Sequence, residues 1–220
     1  HLAYAAAGMN SESLGIIPAI TFAATANALR YQGGEVQFCD VEPDTGLISI
    51  ESLQECLARV SEKQKEKKNL IAPVSFAGAV APLAQCQKLA SENNFILVED
   101  ASHSPGASTP DEQEGTISSC SGTHALASTL SFHPVKHIAA GEGGMITTSN
   151  KELYDKMKSL KNFGRHLEDG GVIISPTGNN FKINEFTGLL GSIECDRVYS
   201  RIQKRTELLE RYRTNLEKTK

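Results

Sequence analysis

An α/β architecture, with a mainly parallel sheet sandwiched by helices, is expected from three features of this chain. Strand-like segments alternate with helical segments of about ten residues or more. One segment, Phe95-Ile96-Leu97-Val98, is apolar throughout and stops abruptly at Glu99-Asp100, as a strand covered on both faces does. The connections are modest in length, apart from the polar stretch Ala107 to Gly115.

Taken in order, His1-Leu2-Ala3-Tyr4-Ala5-Ala6-Ala7-Gly8 reads as the closing turns of a helix stopped by a glycine. Glu35 to Val41 alternates in polarity and predicts a strand. Ile50 to Val60 predicts a helix with Ser49 as its N-cap, although Ser49-x-x-Ser52 is too weak for a capping box. Asn69 to Phe76 predicts a strand ended by Gly78, and Leu83 to Asn93 a helix leading into the strand at Phe95. Ala107 to Gly115 is expected to be a surface excursion. Ser128 to Phe132 and Gly144 to Thr148 predict further strands, and Lys151 to Lys161 a helix. The charged run Arg201 to Lys220 predicts a helix with one narrow apolar stripe (Ile202, Leu208, Leu209, Tyr212, Leu216) that wants a partner. With no initiator Met and no cap at the far end, the chain reads as a fragment, incomplete at both ends.

Composition narrows the function. At 220 residues the chain can bury roughly 70% of its unfolded surface. With 40% hydrophobic and 22% charged residues, disorder over its whole length is not expected. Its 22 basic and 26 acidic residues give a net charge of −4, which argues against nucleic-acid binding. No apolar run is long enough for a membrane-spanning helix, and no membrane partner is expected. Cys39, Cys56, Cys86, Cys120 and Cys195 are scattered, with no C-x-x-C pair, so free thiols in a reducing cytoplasm are expected rather than a disulfide framework or a metal site. The mixed-sign run Glu62 to Lys68 reads as a solvated helix end or loop.

Two places carry potential chemistry. In open α/β sheets ligands collect beyond the carboxyl ends of the strands, where Asp100 falls. By residue type alone, Asp100 serves equally well as the N-cap of a helix beginning at Ala101. Lys136 lies between a strand end and the glycine-rich turn Gly141-Glu142-Gly143-Gly144. A lysine held in a narrow, partly dry site becomes a nucleophilic amine, whereas a lysine in an open loop is only a surface charge. The glycine fingerprints of nicotinamide-binding and P-loop sites are absent.

Jointly, these features resemble a known family. Pro18 to Ala28, Val98-Glu99-Asp100-Ala101-Ser102-His103, Ser131-Phe132-His133-Pro134-Val135-Lys136, Gly141 to Gly144 and Gly178-Asn179-Asn180-Phe181-Lys182-Ile183-Asn184-Glu185 follow in the order of the DegT/DnrJ/EryC1/StrS sugar aminotransferases, fold-type I enzymes that use pyridoxal 5′-phosphate (PLP). The resemblance implies that residues 1–195 are a partial PLP-binding large domain and 196–220 the start of a helix to a small C-terminal domain. It implies that Lys136 binds PLP covalently and shuttles the proton, and that Asp100 pairs with the pyridine nitrogen. Phe22 is implied to stack on the ring, though by type alone it is a core residue; His103 is implied to lie near the phenolic oxygen and Ser131 to bond the phosphate. Asn180, ahead of Asn179, is implied to reach the phosphate across a homodimer interface.

Two departures accompany the match. The family's phosphate-binding turn would precede His1, so the isolated 220-residue chain is expected to be inactive. Lys182 stands where the family usually has arginine, and a lysine makes no bidentate contact. Relatives that remove a sugar hydroxyl carry histidine in place of the lysine, so Lys136 implies transamination. The implied donor is L-glutamate, and the implied acceptor is a nucleotide-linked keto-sugar on the way to surface polysaccharide. The match to Ser131–Lys136 points to C4 of a UDP-linked 4-keto-6-deoxy sugar. A non-turning-over regulatory relative, or another fold-type I enzyme such as an aldolase or lyase, are the alternatives.

Overall fold

The computed structural model describes residues 1–111, 115–120, 122–168, 171–174 and 178–218. Along them run α1 (Leu2–Ala6), β1 (Leu14–Pro18), α2 (Ala23–Arg30), β2 (Glu35–Cys39), α3 (Ile50–Ala58), α4 (Glu62–Lys65), β3 (Asn69–Ile71), a 3₁₀ turn (Phe76–Gly78), α5 (Leu83–Glu92), β4 (Phe95–Asp100), β5 (Ser108–Asp111), β6 (Gly115–Ser118), β7 (Ala127–Ser131), β8 (Gly144–Thr147), α6 (Lys151–Leu160), β9 (Arg165–Glu168), β10 (Gly171–Ile174), α7 (Glu185–Asp196) and α8 (Val198–Glu217). Six of these strands form one sheet in the order β2-β1-β3-β4-β7-β8. Neighbours are parallel except β7 and β8, which pair antiparallel at one edge.

Successive residues of the central strands enter two separate cores, as the two-residue period of a strand requires. Ile17, Leu70 and Val98 pack with Tyr4 of α1, Leu29 of α2 and Leu153 and Met157 of α6. Ile16, Ile71 and Leu97 pack with Leu53 and Leu57 of α3 and Cys86 of α5. The sheet is thus covered on both faces, as the unbroken apolar run before Glu99 predicts.

Local chemistry explains the boundaries. Helix α1 ends at Gly8 as expected: Gly8 has φ 83 and the amide of Met9 donates to the carbonyl of Tyr4 at 3.1 Å, closing the last turn. Ser49 occupies the N-cap position of α3, but its side chain makes no capping bond. The strand expected to run to Phe76 stops at Ile71, because Pro73 has no amide hydrogen to give the ladder. Pairing beyond it returns only at the bridge between Val74 and Asp100. The strand expected to reach Val41 stops at Cys39.

The stretch expected as a surface excursion is largely a hairpin, β5 pairing antiparallel with β6 from Ser108↔Ser118 to Asp111↔Gly115. Its expected polar tip, Glu112 to Glu114, lies outside the described residues. The last helix begins at Val198, and Thr219 and Lys220 lie outside the described residues. In its apolar stripe Leu208, Leu209, Tyr212 and Leu216 are exposed, while Ile202 lies against Gly106, where an added Cβ would come within 2.7 Å of its Cδ1.

Candidate active site

Parallel strands deliver their loops to one edge, and here the segments after β1, β3, β4 and β7 surround a cavity of about 640 Å³. Phe22, Asp100, His103, Ser131 and Lys136 all line it. Asn180 does not: it sits in a backbone bridge with Asn162, and its Oδ1 accepts from the amide of Lys182 at 3.4 Å. Lys182 points elsewhere too, its Nζ donating to Asn162 Oδ1 at 2.9 Å.

Asp100 ends β4 with both carboxylate oxygens held. Oδ2 accepts from the Thr25 hydroxyl at 2.7 Å, and Oδ1 accepts from the amide of Ser102 at 3.1 Å. The second bond closes a turn, and no helix follows, so Asp100 is not a helix N-cap. Its neighbour Glu99 faces the other side of the sheet and is only 1% exposed. Glu99 Oε1 accepts from the hydroxyls of Ser75 at 2.7 Å and Ser119 at 2.6 Å. Its Oε2 accepts from the Ser128 hydroxyl at 2.7 Å and the Cys120 amide at 3.0 Å. Four donors from two loops and a strand satisfy this buried carboxylate.

His103 Nδ1 accepts from the Ala77 amide at 3.4 Å, which leaves the proton on Nε2. Ala77 adopts φ 53 in the 3₁₀ turn, and the neighbouring Phe76 ring lies 5.6 Å from the imidazole. Burial, and next the Lys136 charge, lower the His103 pKa from 6.5, with Asp100 opposing them. The pKa of His137 is lowered as well, by burial first and then by Arg205, His103 and Lys136. The folded chain therefore refuses protons that the unfolded chain accepts below 6.5. Stability present above that pH is lost as pH falls through it. The unfolding midpoint is expected to drop between about pH 7.5 and about pH 5, and to drop less in a His103→Gln, His137→Gln double variant. An equal drop in that variant would rule the two imidazoles out.

Ser131 closes β7, and its Oγ accepts from the His133 amide at 3.3 Å. The following turn, with the Lys136 amide donating to the His133 carbonyl at 2.9 Å, carries Lys136 to the cavity. Gly143 has φ 125, a backbone conformation that strains any side chain, and an added Cβ would also come 3.1 Å from Ile183 Cγ2. Phe22 is 77% exposed, which excludes a core role. Tyr4, Thr21 and Thr25 also line the cavity, and sequence reasoning did not single them out as site residues. Burial, then the Asp100 charge, raise the Tyr4 phenol pKa, so it stays protonated. The spacing of Thr21 and Thr25, one helical turn apart before a strand-end aspartate, was the available signal.

An amine, a doubly held carboxylate, an uncovered aromatic ring, an imidazole N–H and a hydroxyl around one cavity fit PLP. Lys136 offers the bond-forming nitrogen, Asp100 a partner for the ring nitrogen, and Ser131 a phosphate contact.

Comparison with known proteins points the same way. The chain is 34% identical over 221 residues to a UDP-4-amino-4,6-dideoxy-N-acetyl-beta-L-altrosamine transaminase of Campylobacter jejuni, covering 99% of this chain and 55% of that protein. It is 27% identical to a GDP-perosamine synthase of Escherichia coli O157:H7, covering 98% of this chain and 55% of that protein. Among solved structures, Helicobacter pylori PseC, an aminotransferase involved in the biosynthesis of pseudoaminic acid, superposes with a TM-score of 0.77 at 28% identity, covering 94% of this chain and 53% of that one. The chain spans about half the length of the curated relatives it matches. The profile of the DegT/DnrJ/EryC1/StrS aminotransferase family matches residues 1–220. Matched from end to end, and with its strand-end aspartate and loop lysine facing one cavity, the chain belongs to that family.

Proposed function

We propose that the full-length protein is a cytoplasmic PLP-dependent transaminase that moves the amino group of L-glutamate to the keto carbon of a nucleotide-linked sugar, for amino-sugar and surface-polysaccharide synthesis. The observation that carries this reading is the meeting of Lys136, from the loop after β7, and Asp100, from the end of β4, in one cavity. PLP, when bound, supplies an electron sink for a substrate carbanion. The chain's own groups do the rest. Asp100 would accept a hydrogen bond from the ring N–H, the Phe22 ring would cover a face, and His103 Nε2–H would serve the ring oxygen. Lys136 Nζ would take the proton from the donor's α-carbon and give it up again within the same half-reaction, and would carry it in the reverse direction in the other. The five free thiols suit a reducing compartment.

The acceptor we propose is a UDP-linked 4-keto-6-deoxy sugar, aminated at C4. The name and 34% identity of the Campylobacter relative support that choice. The test is to load full-length protein with PLP, add L-glutamate, and then offer a panel of nucleotide keto-sugars, with mass spectrometry of the products. Loss of the visible band with glutamate, its return with the UDP sugar, and an amino-sugar product are expected. A band that no amino donor discharges would favour a non-catalytic relative, and amino-acid cleavage without any keto-sugar would favour a lyase or aldolase.

We also propose that the protein is a homodimer. On α7, Phe186 is 82% and Leu189 62% exposed, and Leu167 on the β9–β10 hairpin is 82% exposed. Phe186 and Leu189, three residues apart on α7 and so on one helix face, mark a face that a partner covers. A second copy is the partner that also gives Asn180, outside its own chain's cavity, a cavity to serve. Phe186→Asp with Leu189→Asp should shift the full-length protein from dimer to single-chain mass in sedimentation, because a buried unpaired charge is costly. An unchanged mass would refute this face as the interface.

A further inference from the structure

We propose that Thr25 is the positioning residue of Asp100: its hydroxyl, backed by that of Thr21, fixes the plane of the carboxylate that receives the cofactor ring. This role rests on the PLP reading above and deepens it.

The geometry is directional. Thr21 Oγ1 lies 2.9 Å from Thr25 Oγ1 and donates to it, and Thr25 Oγ1 lies 2.7 Å from Asp100 Oδ2 and donates to it. A hydroxyl has one hydrogen, so the Thr25 proton is committed to Asp100, and its lone pair is free to accept from Thr21. Thr25 lies in the first turn of α2, and Thr21 precedes the extended N-cap Phe22, so the chain entering the helix folds the Thr21 hydroxyl back onto that of Thr25. Thr25 is 7% exposed, which shields its bond from competing water. The Ser102 amide holds the other oxygen, Oδ1, at 3.1 Å.

Each carboxylate oxygen thus has one lone pair engaged by the protein, and the remaining lone pairs can face the cavity. A carboxylate held at one oxygen only can rotate about its Cβ–Cγ bond, whereas one held at both cannot without breaking a bond. The site is then organised before any ligand arrives, which is where binding strength is gained. A merely structural tie between α2 and β4 would use the same bond, so the test must read the cofactor rather than the fold.

The experiment uses the full-length protein with Thr25→Val, Thr25→Ser and Thr21→Val. PLP affinity and the pH midpoint of the visible band are measured for each. Thr25→Val keeps the shape and removes the donor. PLP should bind it more weakly by about 10- to 100-fold, the range for one hydrogen bond to a charged group. Its band midpoint should move up, because a ring nitrogen partnered less firmly withdraws less charge from the Lys136 nitrogen. Thr25→Ser restores the donor and should stay within about 3-fold of the parent on both readouts. Thr21→Val, should Thr25→Val fail to fold, gives the same upward shift at smaller size, about 3-fold in affinity.

Parent-like affinity and midpoint in a folded Thr25→Val, or in Thr21→Val where Thr25→Val does not fold, overturns the role while leaving the PLP reading intact. A parent protein that develops no visible band with PLP overturns the PLP reading, and the role of Thr25 with it.

Discussion

Replacing Lys136 with alanine in the full-length protein is expected to abolish the visible band formed with PLP and to lower transamination by about 10⁴-fold or more, since both the covalent anchor and the proton carrier are lost. Asp100, Phe22 and Ser131 are untouched by the change and line the same cavity, so PLP should still bind, without the covalent bond. Lys136→Arg separates charge from chemistry. A guanidinium keeps the positive charge but does not give up its proton, so it should be as inactive as alanine. Absorbance spectra and single-turnover assays of the three proteins decide the matter. A band and turnover that survive in Lys136→Ala would remove this lysine from the reaction.

The second large effect concerns stability. Glu99→Ala should cost about 4 kcal/mol, the order expected when one partner of a buried, hydrogen-bonded charge is removed. The alanine leaves the hydroxyls of Ser75, Ser119 and Ser128 and the amide of Cys120 facing an empty space. Glu99→Gln should cost less, because its carbonyl oxygen still accepts two of the four bonds, while its amide meets donors unless a hydroxyl turns to accept. Urea unfolding of the full-length protein should place the midpoints in the order parent, glutamine, alanine, with about 2 M between the extremes for a typical slope. An alanine variant as stable as the parent would show that the cradle is dispensable.

Much of this site was legible in the residues, for a physical reason. A strand buried on both faces must be apolar, so the end of β4 announces itself where Val98 gives way to Glu99 and Asp100. The glycine turn after Lys136 left it between a reactive amine and a surface charge, and the order of the family's segments favoured the amine; Gly141 and Gly143 hold positive φ, which is why the turn uses glycine there. What stayed hidden depends on contacts distant in sequence. Ser75, Ser119 and Ser128 meet only at Glu99, and no spacing encodes that. Strand β1 went unread because Leu14-Gly15-Ile16-Ile17-Pro18 is short and includes both glycine and proline. The antiparallel direction of β8 is not reported by residue patterns, because the segment 132–143 that joins it to β7 is long enough for either direction. For Asp100, residue type could not exclude a helix cap, and the absence of a helix directly after it does.

The alternation along β4 sets how this chain can change over generations. Val98 and Asp100 belong to one side of the sheet, and Leu97 and Glu99 to the other. Gaining or losing a single codon inside this strand would reverse that parity, driving the acid that lines the cavity into the serine cradle and the structural acid out toward the cavity. Connections between elements can drift in length, but β4 is locked to its residue parity, and any lineage that retains both carboxylates must retain their adjacency.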